Sequence, residues 1–166
     1  RLSQPLAISG IAGNAAAQKR EEARYAPSEP CAYWTVADVQ QLLGGAEAPV
    51  VETSGQDCHI NFSDARGGHE MSITVTPRNG YRTFRSENAS YASFARGINT
   101  SNDGSVQLRS SKAVEGPWEM AEDGPIQFNA VRHDASIALR HGSMSIEQIR
   151  AILGHAFDRI DAGAKP

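Results

Sequence analysis

The sequence has little of what catalytic, metal-binding or membrane-spanning chains usually carry. Its two cysteines, Cys31 and Cys58, belong to no Cys-x-x-Cys or Cys-x-x-His group, so a structural metal site has no local ligand set to build on. No stretch approaches the roughly eighteen apolar residues that a spanning helix needs. The most apolar early segment, Leu6 to Ala17, is interrupted by Ser9, Gly10, Gly13 and Asn14. There is no basic surplus either. Sixteen Lys+Arg stand against nineteen Asp+Glu, a formal net charge of −3, and without excess positive charge to neutralise phosphates nucleic acid is not an expected partner. Gly-x-Ser-x-Gly is missing, as are a glycine-rich phosphate loop and a His-x₃-His pair on a helix, so the common nucleophile and zinc-hydrolase signatures are excluded. No cofactor is expected.

What is present is an ordinary globular balance, 40% hydrophobic and 21% charged in 166 residues, enough for one domain with its own core. Residues 1–30 read as an N-terminal arm or linker, charged in its second half and punctuated by Pro27 and Pro30. A short helix over Ala15 to Tyr25 is the other reading of that arm. The domain is expected over 31–162, with 163–166 as a tail.

Within it, Thr35 to Leu43 places apolar residues at 36, 39, 42 and 43, with Thr35 as cap, Asp38 in the capping-box position and Gly44-Gly45 beyond the end; this is a short helix. Cys58, Ile60 and Phe62 alternate, as do Met71, Ile73 and Val75, and the Asp64–Gly68 link has turn chemistry, predicting a hairpin. Ser86 to Arg96 reads as a short helix before Gly97. Ile126, Phe128 and Ala130 alternate ahead of a turn at His133-Asp134-Ala135 and a strand Ser136 to Arg140, in which Ile137 and Leu139 point inward. Ser145 to Ile160 carries an apolar stripe through four turns, with Ser145 capping and Gln148 in the box position. The two capped helices share one apolar spacing, as many capped amphipathic helices do. The sum is an α+β fold in which amphipathic helices cover one face of an antiparallel sheet.

The cysteines allow two readings. A Cys31–Cys58 bond would close a 27-residue loop, stabilise by about 3–4 kcal/mol in the chain-entropy picture, and persist only in an oxidising compartment. Two buried thiols acting as small hydrophobes are the alternative.

Few other residues invite a function. His69-Glu70 and His133-Asp134 sit in or beside turns, where adjacent strand residues face opposite ways; both read as exposed turn residues. Arg78, Arg82 and Arg85, interleaved with Tyr81 and Phe84, form the densest positive charge and suit an anion, a glycan or an acidic partner. A solvated loop leading into a helix is the plainer reading. Aromatic residues are only 7% of the chain, which singles out its two tryptophans, Trp34 and Trp118, as core fillers or as lining for a ligand cavity between sheet and helix.

The pattern Cys31-x-x-Trp34-Thr35-x-x-Asp38-Val39-x-x-Leu42-Leu43-Gly44, with a second cysteine in Cys58-x-Ile60, resembles the opening of bacterial extracytoplasmic Cys-paired lipoprotein and sensor-type domains, most of unknown function. Gly116-Pro117-Trp118-Glu119 through Arg159 is similar to their second half. The resemblance implies a Cys31–Cys58 disulfide from helix start to strand, a PsbP-like or related fold with helices on a curved sheet and a long C-terminal helix, and a periplasmic or extracellular location. It implies no catalytic residue. The chain lacks the lipid-attachment cysteine near its start, so no lipid anchor follows from it.

The function expected on these grounds is non-catalytic binding of a protein partner or envelope component, with Arg78, Tyr81, Arg82, Arg85 and Trp118 as candidate binding residues. A carrier of a small apolar ligand, held between the sheet and the Ser145–Ile160 helix, is the second reading. A hydrolase drawing His and Asp from separate loops is the third.

Overall fold

The computed structural model describes residues 15–16, 24–101 and 103–163. A 3₁₀ turn, Pro30–Tyr33, leads into α1, Val36–Leu43, and then three strands, β1 Glu47–Ser54, β2 Asp57–Asp64 and β3 Gly67–Thr76. Helix α2, Gly80–Ser101, is followed by β4 Lys112–Ala113, β5 Met120–Asp123, β6 Phe128–Arg132, β7 Ala135–His141 and the C-terminal helix α3, Ile146–Ala162. The seven strands form one open sheet in the order β1-β2-β3-β7-β6-β5-β4, every neighbouring pair antiparallel. The fold is α+β. No helix among the described residues is long and apolar enough to cross a membrane.

Both capped helices form where their local chemistry places them. Thr35 Oγ1 accepts from the Asp38 N–H at 3.0 Å while Asp38 Oδ2 accepts from the Thr35 N–H at 2.8 Å. Ser145 and Gln148 repeat the exchange at α3, and Gly163 closes that helix in the left-handed conformation. The two helices lie together on one face of the sheet, joined by His155 and Arg159 at 3.4 and 3.7 Å from Asp38. Their apolar stripes meet Ile60, Met71, Ile73, Ile137 and Leu139 in the main core.

Three local features depart from the sequence reading. β1 has no counterpart in the sequence reading; it pairs with β2, and Pro49 falls at a register shift between Glu47 and Val50. An edge strand tolerates proline there because the missing N–H would face away from the ladder. The helix expected over 86–96 runs from Gly80 to Ser101 instead, so Arg82 and Arg85 are helical while Arg78 stays in the loop before it. Its first amides are satisfied from the β6–β7 turn: Gly80 N–H donates to the Asp134 carbonyl at 2.8 Å and Tyr81 N–H to the Asp134 carboxylate at 2.9 Å. α2 also occupies the reverse face of the sheet, with Phe84 against Thr74, Asn129, Ser136 and Ala138, so helices α1 and α3 form one layer and α2 a second. Finally, the packed chain begins ahead of residue 31. Arg24 donates to the carbonyls of Pro77 and His133, and Tyr25 N–H to the Ile160 carbonyl at 3.2 Å. The remainder of the expected arm, apart from residues 15–16, lies outside the described residues.

Cys31 and Cys58 are joined in a disulfide with Cα atoms 4.8 Å apart. It fixes the 3₁₀ turn to β2, with Cys58 fully buried.

Candidate functional site

The sheet order gathers three groups of functional side chains. The first is the basic surface. Arg78 precedes α2, while Tyr81, Arg82 and Arg85 occupy its first two turns, all exposed. Arg85 lies 5.9 Å from the Tyr81 ring centroid, a cation–π contact one helical turn apart. Arg66, Arg109, Arg132, Arg140 and Arg159 each pair with a carboxylate. Among the described residues, Arg78, Arg82 and Arg85 have none within ion-pair distance. The first turn of α2 contains no acidic residue of its own; the carboxylate at that end comes from Asp134 of the β6–β7 turn, which accepts from the Tyr81 N–H, while the three arginines add positive charge around it. The structure thus brings four of the five expected binding residues onto one surface.

Trp118 stands apart from them. Its indole is buried, edge-to-face with Phe128 at 5.3 Å, and its N–H donates to the Val114 carbonyl at 2.8 Å. It lines a cleft of about 660 Å³ between the β4–β5 edge and α2, together with Phe84, Val114 and Met120. The ligand cavity expected between the sheet and α3 is not where the space lies. Ile149, Ile152, Leu153, Phe157 and Ile160 fill that interface, none more than 3% exposed. Sequence reasoning missed Met120, Glu115 and Glu122 as cleft residues; the Gly116-Pro117 break beside Trp118 was the available signal.

The third group centres on His69, and here the expectation of an exposed turn residue is overturned. β3 begins at Gly67, so His69 already lies on the core-facing side, 7% exposed and stacked on Phe62 at 4.9 Å. One ring nitrogen, Nε2, is 2.7 Å from Asp64 Oδ1 and the other, Nδ1, is 2.9 Å from Ser143 Oγ. The hydrogen bond from His69, aided by the Arg66 backbone N–H, holds the Asp64 carboxyl down at about 2. Acid, imidazole and hydroxyl are in line, as acyl transfer requires. Two nearby amides are engaged locally: Met144 N–H donates to His141 Nδ1 and Ser145 N–H to Gln148 Oε1. The hollow beside His69 opens among Asn61, Ser63 and Glu70, and Ser143 does not line it. What the geometry accomplishes is full hydrogen bonding of a buried imidazole, which pins the β7–α3 loop to the β2–β3 hairpin.

His133 is an exposed turn residue, as expected, at φ 47° beside Asp134 at φ 62°. Its Nδ1 is 2.9 Å from Asp161, which also receives Arg132 at 2.8 Å. Burial pushes the His141 imidazole pKa down, against an opposing pull from Asp123.

No family model, curated protein or solved structure matches the chain.

Proposed function

We propose that the chain is a non-catalytic binding domain that works outside the cytoplasm and docks an acidic protein partner on the Arg78–Tyr81–Arg82–Arg85 surface. One observation carries the reading: three exposed arginines, without carboxylate partners among the described residues, crowd the start of α2. Such an arrangement weakens the helix it sits on and favours an incoming anion. Tyr81, 44% exposed beneath Arg85, adds an amphipathic anchor of the kind that concentrates binding energy at interfaces. The Cys31–Cys58 bond supports the extracytoplasmic part, since such crosslinks endure where thiols are not kept reduced.

The test is fluorescence anisotropy with an Asp/Glu-rich peptide on the whole chain, wild type against Arg78→Glu/Arg82→Glu/Arg85→Glu. Binding that weakens with salt and vanishes in the triple variant supports the reading. Equal binding by the variant removes this surface. Binding to anionic phospholipid vesicles but not to the peptide would instead make the partner an envelope component.

A further inference from the structure

We propose that the cleft between the β4–β5 edge and α2 binds an amphiphilic organic cation, an apolar body bearing an ammonium group. This site is separate from the arginine surface and stands or falls without it. Its volume, about 660 Å³, suits a single small molecule. The floor is apolar: Phe84 from α2, Val114, Trp118 and Met120, the last 42% exposed. The polar groups around it are of one sign. Glu115, Glu119 and Glu122 line the cleft, and no lysine or arginine does.

The neighbouring cations each have other contacts, that of Arg150 being at the cleft's rim. Arg150 donates to the Glu115 carbonyl at 2.9 Å, Arg132 pairs with Asp158 and Asp161, and Arg85, next to Phe84 in the chain, stands over Tyr81. Lys112 is exposed on β4 and does not line the cleft. Glu119 is held by the His133 N–H at 3.2 Å, which leaves Glu115 and Glu122, among the described residues, as the cleft carboxylates with least other work.

The wall is rigid. The Trp118 N–H closes its own loop onto Val114, and Gly116 lies flat on the indole, where a Cβ would come within 2.2 Å of a ring carbon. A preformed apolar cleft edged by carboxylates selects against anions and gains over neutral ligands through charge attraction and cation–π contact.

Three probes with the same ten-carbon tail decide it: decyltrimethylammonium, decyl sulfate and decyl glucoside, each titrated below its micelle concentration by calorimetry. The expected result is saturable one-to-one binding of the ammonium probe, about tenfold or more tighter than the other two. Glu115→Gln/Glu122→Gln, with unchanged circular dichroism and thermal midpoint, should abolish that preference while leaving binding of the neutral probe. Equal or tighter binding of the sulfate or glucoside overturns the proposal. So does a preference that survives the double variant, or no saturable binding at all.

Discussion

The Trp34 indole N–H donates to the Ile152 carbonyl at 3.0 Å, across 118 residues. This bond ties the chain just past the disulfide to the middle of α3, inside the core. Trp34→Phe keeps the aromatic body but loses the donor, and should lower stability by about 1 kcal/mol. Trp34→Ala also opens a cavity and should cost about 3–5 kcal/mol. Urea unfolding of both variants checks the split. Equal losses would mean that the hydrogen bond, rather than the ring, carries the contact.

The disulfide closes a loop with a sequence separation of 27. Its removal in Cys31→Ser/Cys58→Ser should lower stability by about 3–4 kcal/mol, chiefly by freeing the unfolded chain. The same loss should appear on adding reductant to wild type, and not in the double variant. Thiol counting on natively isolated, denatured, unreduced protein should find no free thiol; two alkylated sulfurs would contradict the structure and the compartment together.

Gly80 lets α2 start against the β6–β7 hairpin. A Cβ there would stand 2.2 Å from the Ser136 nitrogen and 2.5 Å from the Ala135 carbonyl carbon, both backbone atoms that cannot swing aside. Gly80→Ala should therefore destabilise by about 1–3 kcal/mol or more through forced displacement, although alanine is the better helix former. Asp134→Ala, which removes the side-chain acceptor of the Tyr81 N–H, should cost about 0.5–2 kcal/mol as a lost cap. Thermal unfolding measures both, and a stabilised Gly80→Ala would show that α2 does not approach β7 so closely.

Asp64 gives a pH signature. Its carboxyl is held at about 2 in the folded chain, below its usual 3.8, first by the hydrogen bond from His69. A depressed carboxylate contributes stability that is fully present above the unfolded value and lost as pH falls through the folded one. The stability difference between wild type and Asp64→Asn should thus hold steady above about pH 5 and shrink between about 4 and 2. Unfolding curves across that range test it; a difference that stays constant down to pH 2 would mean that His69 does not hold the carboxylate.

Much of the fold could be read along the chain because it rests on neighbours. Thr35 with Asp38 and Ser145 with Gln148 begin two helices through groups three residues apart. The alternation of Cys58, Ile60 and Phe62 and of Met71, Ile73 and Val75 predicts a hairpin, and the structure forms it, with Cys58 opposite Ile73 and Ile60 opposite Met71. β1 escaped because Pro49 argues against a strand until its place at an edge bulge is known.

The candidate sites were legible in part. PRNGYRTFR showed where positive charge concentrates, but not that Asp134 would cap that segment into helix and turn its arginines to solvent. Trp118 stood out by rarity, while the glutamates around its cleft did not, because four-residue β5 and two-residue β4 carry little pattern.

Local chemistry alone determined the α+β class, the capped helices, the central hairpins and the candidates at Arg78, Tyr81, Arg82 and Arg85. Tertiary structure decided the full length of α2, the burial of His69 between Asp64 and Ser143, and the position of the cleft beside Trp118. Caps and alternation act over a few residues, whereas these features need β3 seated against β7, Thr76 opposite Ser136, which brings together groups that no short stretch of chain contains.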